Sequence, residues 1–304
     1  MLISEENFQD NTFFFFSSKV PSKITHRFNY YKIYSFPEND LLRLPYIFLL
    51  RIIKFLKYPF LKTASLYGQD NLPFTSPLVG YRKMKLIEDG VMNYSLTAGR
   101  SLGWIKGIIG GPIMAQPPFG LSSAIERIYL TGLGTIPNVV KHKVELINLS
   151  NLWMQCSNEK KKQILSGFGV SEKMIEDFKD VDSVLFTQPL SEDGAVDEKT
   201  KISFYATIIK DNKISIKPHP REKTNYKNYF PNVSILEPTI PIELLTLLGI
   251  KFKRTYTIFS TAVLSFPYST EVHFLGTQIH PSLIEKFGDI RYENGKIKRI
   301  DLDM

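Results

Sequence analysis

Three polar segments in the second half of the chain carry side chains that can do chemistry. Gln188-Pro189-Leu190-Ser191-Glu192-Asp193-Gly194 offers a carboxylate beside a glycine turn. Lys217-Pro218-His219-Pro220-Arg221-Glu222 offers an imidazole between two cations, stiffened by prolines, and Ser260-Thr261 offers paired hydroxyls. Each follows a short apolar run, at 183–187, 213–217 and 255–259. If those runs are parallel strands of one sheet, the three segments open on one edge, around one cleft. Hydroxyls with free backbone N–H groups at a helix start suit a phosphate. His219, with Lys217 or Arg221, could neutralise charge that grows on a departing phosphate. Singly, each motif has a bland reading: Asp-Gly as a turn, His-Pro as a rigid loop like His280-Pro281, Ser-Thr as a helix cap. Their order along one sheet edge is what raises them together.

The elements that would position these loops are legible in the spacing. After Asp182, apolar strands at 183–187, 213–217, 233–236, 255–259 and 271–275 alternate with helical patterns at 197–209 and 241–248. Such alternation predicts a parallel sheet covered on both faces. Before it, residues 151–182 read as a helical linker, with helices over 157–168 and from an N-cap at Ser171. The first half is less regular. Strands are expected at 12–18, 85–88 and 144–149, whereas 100–140, rich in Gly and Pro, reads as loops carrying at most short elements. The division predicted is a first domain over 1–150, the linker over 151–182, and a second domain over 183–304.

Composition narrows the class. The chain has 304 residues, 43% hydrophobic and 22% charged, which fits two globular domains and excludes disorder. Thirty-eight Lys and Arg against 30 Asp and Glu give a net charge of +8, favouring anionic neighbours. The single cysteine, Cys156, leaves no internal disulfide and points to a reducing, cytoplasmic setting. Neither an export signal nor a membrane span is expected. The stretch LLRLPYIFLLRIIKFLKYPFLK, residues 41–62, reads as a helix bracketed by Pro45 and Pro59. On a helix Arg51, Lys54 and Lys57 fall on or near one face, with Leu, Ile and Phe opposite. That pattern suits either a helix lying on anionic lipid or a core helix with one wet basic face. Two Asp-x-Asp triplets, 180–182 and 301–303, do not follow strands and read as solvated charge.

The motifs FTQPLSEDG, IKPHPRE, EPTIPIELL and FSTA, in that order and spacing, resemble the bacterial sialyltransferases that cap lipooligosaccharides and capsules, glycosyltransferase family 52. A more distant likeness is to bacterial polysialyltransferases. The resemblance implies a GT-B type α/β fold, two Rossmann-like domains facing a cleft, here with a small or irregular N-terminal domain. It implies CMP-sialic acid as donor, inversion, no metal and no further cofactor. Asp193 then becomes the general base and His219 the group that protonates or hydrogen-bonds the leaving CMP phosphate. Lys217, Pro218, Pro220 and Arg221 complete the nucleotide loop. Glu243 would accept from ribose hydroxyls, Ser260 and Thr261 would hold the phosphate, and Gln188, Glu237 and Pro238 belong to the same substrate-binding set. A rival base is Asp89, whose Glu88-Asp89-Gly90 resembles the acidic motif of the polysialyltransferases, with Asn93 and Tyr94 on the acceptor side.

The expected partners are the donor, a glycan acceptor ending in galactose, and the inner leaflet of a bacterial cytoplasmic membrane; a homodimer is also expected. Two other readings stay open. One is a GT-B enzyme using another sugar nucleotide, such as UDP-glucose. The other is a non-catalytic basic module, but Lys and Arg are spread along the chain and no nucleic-acid motif occurs.

Overall fold

The computed structural model describes residues 7–37, 39–90, 92–94, 103–210, 213–266, 270–293 and 296–300. Residues 33–152 form one compact unit, and residues 7–32 join 153–300 in the other. The division therefore departs from the expected 1–150 boundary. The cause is aromatic packing: β1 (Phe14–Ser17) pairs with β2 (Tyr31–Tyr34), and Phe14 lies 4.3 Å from Phe28 between ring centroids. Phe28 in turn faces Gly167, and the Lys160 ammonium sits 5.3 Å over the buried Phe8 ring. The expected linker is built of helices Leu149–Gln155, Asn158–Phe168 and Glu172–Lys179, which bury Trp153, Ile164 and Phe178. Ser157 and Ser171 cap the last two, each accepting a hydrogen bond from the backbone N–H three residues on.

The first unit holds a parallel sheet of β3 (Tyr67–Gly68), β4 (Met84–Ile87), β5 (Ile125–Leu130) and β6 (Val144–Leu146), in that spatial order. Met84 and Leu86 alternate inward and meet Ile113, Ile125, Ile128 and Leu130 in the core. Residues 100–140, expected as loops with at most short elements, hold the six-residue β5 and an eight-residue helix, Gly103–Gly110. Its glycines serve packing rather than turning. A Cβ on Gly107 would lie 2.7 Å from the Ala115 methyl, and one on Gly103 would lie 2.6 Å from the Ala115 carbonyl.

Helix Asp40–Lys57 packs on this unit, and Pro45 lies inside it rather than bracketing it. Pro59 does mark its end, opening the 3₁₀ turn Pro59–Lys62. Of the three cations of the basic face, Arg51 and Lys54 turn inward, and Lys57 stays exposed. Arg51 donates to the Gly107 and Ile108 carbonyls, and Lys54 donates to the Val79 carbonyl. The Gly107 carbonyl also accepts the Gly111 N–H at 2.9 Å, whereas the Ile108 carbonyl faces Pro112, which has no N–H to give, four residues on.

The second unit's sheet is parallel as expected, ordered β10 (Glu271–Phe274), β9 (Arg254–Thr257), β7 (Ser183–Phe186), β8 (Ser215–Lys217). Every residue of β7 is buried, as its unbroken apolar run requires of a central strand. Helix Glu198–Ile209 starts at Asp197, whose carboxylate accepts from the Thr200 N–H at 2.7 Å. Residues 233–236, expected as a strand, make only a single parallel bridge, Ile216 with Ile235. Prolines 231 and 238 flank the segment and cannot extend a ladder. A hairpin of β11 (Asp289–Glu293) and β12 (Lys296–Ile300) follows the last helix. Asp182 pairs with Lys253 at 2.9 Å on the surface, and the triplet 301–303 lies outside the described residues.

Candidate active site

In the second sheet the chain passes from β7 to β8 on one side, then returns to β9 on the other. The winding reverses at β7, so a crevice opens beyond the carboxyl ends of β7 and β9. Here Gln188 fastens the two ends: its Oε1 accepts the Phe259 N–H at 2.9 Å. Its own N–H donates to the Tyr205 hydroxyl at 2.8 Å. The Thr257 hydroxyl donates to the Phe186 carbonyl at 3.2 Å and accepts the Ser260 N–H at 3.0 Å. Ser260 Oγ in turn accepts from the Ala262 N–H and caps the short turn Thr261–Ser265. The capping reading of Ser260 therefore holds, and its hydroxyl can still donate outward.

The adjacent loop after β8 concentrates charge. Lys217 is 4% exposed and donates to the Pro238 carbonyl at 3.1 Å. Burial lowers its pKa to about 8, against the pull of Glu237 and Glu243, so it stays cationic at neutral pH. His219 is lowered further, to about 4, by burial and then by Arg221 and Lys217. Its Nδ1 accepts the Arg221 N–H at 3.1 Å, which leaves the proton of the neutral ring on Nε2. Arg221 forks onto Asp193, with nitrogen–oxygen distances of 2.7 and 3.1 Å. Gly194 takes a left-handed φ of +66°, the turn that presents Asp193, and Lys286 donates to the Asp193 carbonyl. The predicted carboxylate and the predicted imidazole loop are thus brought into one cluster.

Behind this cluster lies a set of residues that spacing alone did not single out. Glu222, nearly sealed from solvent, accepts the His219 backbone N–H at 2.7 Å, and also the Thr187 and Tyr226 hydroxyls. Burial raises its pKa, only partly offset by those hydrogen bonds and by Lys201. Lys201, with no exposed surface, reaches Glu192 at 3.1 Å, Glu198 at 3.5 Å and Glu222 at 3.6 Å. Glu192 also accepts the Lys223 N–H at 2.6 Å. One ammonium therefore ties the loop after β7 to the loop after β8. The available signal was a lysine on the apolar side of helix 198–209.

Other predicted residues stand apart from the cluster. Glu237 accepts from Lys23 at 2.8 Å and from Thr239; burial disfavours its charge, but these bonds outweigh it and hold the pKa low. Pro238 contributes its carbonyl to Lys217, Pro218 is buried, and Pro220 is exposed at the turn. Glu243 is exposed in the first turn of helix Ile242–Leu247. Thr261 opens the turn after Ser260. Asp89 and Asn93 belong to the first unit. Asn93 is 3% exposed and accepts the Asp89 N–H through its side chain, which shapes the loop after β4. Asp89 itself is exposed and accepts from Asn71 at 3.1 Å. Asn71 lines a cleft of about 300 Å³ with Arg43, Asp70 and Lys106.

A parallel-sheet unit with a cationic loop and a carboxylate at its switch point suits a nucleotide-sugar enzyme of the GT-B type. The solved structures that the chain resembles are of that kind. It superposes on an α/β-galactoside α-2,3-sialyltransferase from Photobacterium phosphoreum with a TM-score of 0.53 and 15% identity, covering 90% of this chain and 85% of that one. A 2,6-sialyltransferase of Photobacterium sp. JT-ISH-224, solved with CMP and lactose, gives 0.55 and 10% identity, covering 90% and 67%. The GT-B domain of a Photobacterium damselae sialyltransferase gives 0.51 and 13%, covering 90% and 85%. The profile of glycosyltransferase family 52 matches residues 2–283, and the chain belongs to that family. An uncharacterized protein of Haemophilus influenzae is 41% identical over 236 residues, 77% of this chain and 75% of its own.

Proposed function

We propose that this glycosyltransferase moves sialic acid from CMP-sialic acid to a terminal galactose of a lipooligosaccharide or capsular glycan, on the cytoplasmic side and without a metal or further cofactor. The observation that carries the reading is the joint cluster of Lys217, His219, Arg221 and Asp193 at the β7–β9 switch point. Membership of family 52 supports it, as does the likeness in fold to enzymes whose names specify galactoside and whose crystals held CMP and lactose.

In this reading an acceptor hydroxyl oxygen bonds to the anomeric carbon. The bond from that carbon to the phosphate oxygen breaks, and its electron pair leaves with CMP. The hydroxyl proton passes to Asp193, while His219 Nε2–H and Lys217 meet the charge on the phosphate. In the resting site Arg221 occupies both Asp193 oxygens. A bound phosphate competes for that guanidinium, so donor binding itself frees the carboxylate to accept a proton.

Release of CMP from CMP-sialic acid in the presence of lactose tests the proposal. Asp193→Asn should keep CMP binding and lose roughly 100-fold or more in transfer, the usual share of general-base catalysis. Normal transfer by Asp193→Asn with an inactive Asp89→Asn would move the base to Asp89. Turnover of UDP-glucose in place of CMP-sialic acid would reject the donor. Loss of activity in EDTA that magnesium restores would reject the metal-free step.

A further inference from the structure

The turn that carries His219 is closed twice by one residue. The Glu222 N–H donates to the His219 carbonyl at 3.0 Å, and the His219 N–H donates back to Glu222 Oε2 at 2.7 Å. Between them Pro220 has no N–H to give, and the Arg221 N–H meets His219 Nδ1 at 3.1 Å. The ring therefore takes its tautomer from the shape of the turn, and the turn is shut by Glu222.

Glu222 is itself held from three other elements. Its side chain is 1% exposed. Oε2 also accepts the hydroxyl of Thr187, just past β7, and Oε1 accepts the hydroxyl of Tyr226, from helix Tyr226–Tyr229. Lys201 of helix Glu198–Ile209 lies 3.6 Å from Oε1. An ion pair with that lysine is the weaker account of Glu222, because Lys201 has nearer partners in Glu192 at 3.1 Å and Glu198 at 3.5 Å. The closest contacts of Glu222 are instead with the His219 N–H and the two hydroxyls.

We propose that Glu222 is the positioning residue of His219, a clamp on the 219–222 turn that keeps Nδ1 on the Arg221 N–H and leaves Nε2 as the donor. It acts through the ring rather than on the substrate. Its consequence for turnover rests on the transfer reading proposed above; its consequence for the tautomer does not.

Two variants of the full chain separate the clamp from the charge. Glu222→Gln keeps the length and one oxygen for the His219 N–H, and its amide can donate to a hydroxyl, which accepts as well as donates. Glu222→Asp keeps a charge facing Lys201 but is one methylene short of the span from both hydroxyls to the His219 N–H. In spectra of isotope-labelled imidazole nitrogens at neutral pH, the His219 signals are those that vanish in His219→Gln. Wild type and Glu222→Gln should show one bare and one protonated nitrogen, and Glu222→Asp an average over both tautomers. With CMP-sialic acid and lactose, Glu222→Asp should lose about tenfold or more in kcat with the donor KM unchanged, the scale of loss that a misplaced group brings, and Glu222→Gln should recover most of it. A ring that keeps the Nε2–H form in folded Glu222→Asp overturns the proposal. So does loss of that form in Glu222→Gln, which decides alone if circular dichroism finds Glu222→Asp unfolded. A wild type that leaves CMP-sialic acid intact rejects only the transfer reading, since the spectra need no donor.

Discussion

His219 enters the site as a neutral ring, and its surroundings explain why. Burial and two adjacent cations lower its pKa from 6.5 to about 4. A neutral imidazole donates through Nε2 without adding charge to a pocket already holding Lys217 and Arg221. The same shift makes stability depend on pH. Above about 6.5 neither the folded nor the unfolded chain protonates this ring, and its contribution is fully present. As pH falls from 6.5 toward 4 the unfolded chain binds a proton that the folded chain does not, and stability is lost, by about 3 kcal/mol at most. Lys217 acts in a separate window, between 10.5 and about 8, and does not blur the comparison. Urea melts of wild type and His219→Gln should therefore converge by about that amount between pH 7 and pH 4. Curves that stay parallel would show that the ring titrates normally.

At the scale of elements, helix Glu198–Ile209 does more than cover the sheet. Its buried Lys201 holds Glu192 of the loop after β7 and Glu222 of the loop after β8, and Glu222 carries the His219 backbone. Removing the ammonium would leave carboxylates facing each other in a nearly dry space. Lys201→Met should cost about 3–5 kcal/mol in denaturant unfolding, the usual penalty for breaking a buried ion pair from one side. An unchanged midpoint would mean that the carboxylates simply protonate or hydrate. Helix Asp40–Lys57 shows the reverse arrangement, with cations inside on backbone carbonyls and leucines outside. A hydropathy pattern defines two faces of a helix but not which one meets the protein. That decision rests on what the neighbouring backbone offers, here the carbonyls of residues 79 and 108.

At the scale of the whole molecule, the chain divides into two units, each with a four-stranded parallel sheet. The residues proposed to meet the nucleotide all lie in the unit of residues 7–32 and 153–300, and Asp89 lies in the other. Hydrogen exchange with and without CMP should therefore show protection concentrated at 186–194, 217–222 and 258–262. Protection confined to residues 84–94 instead would place the nucleotide in the first unit. A ligand at 100 times its dissociation constant stabilises by about 2.7 kcal/mol, enough to read in slowly exchanging amides.

The sequence by itself determined the parallel sheet and the main helices between residues 157 and 275. The central strand is an unbroken apolar run, the helices start at Asp197, Ser157 and Ser171 with capping side chains, and the polar loops follow the strands. These are local signals, set by propensity and by the two periodicities, and the active-site loops inherit their places from them. Residues 103–130 defied the same procedure, because Gly103 and Gly107 serve a close contact with Ala115 that no neighbouring residue announces. Residues 7–32 likewise join the later part of the chain through Phe8, Phe14 and Phe28. Only the tertiary structure decided that membership, the Arg221–Asp193 fork, the Lys201 network and the outward face of helix Asp40–Lys57. Each depends on groups far apart in the chain meeting in space, where burial and unsatisfied charge, not local spacing, choose the partner.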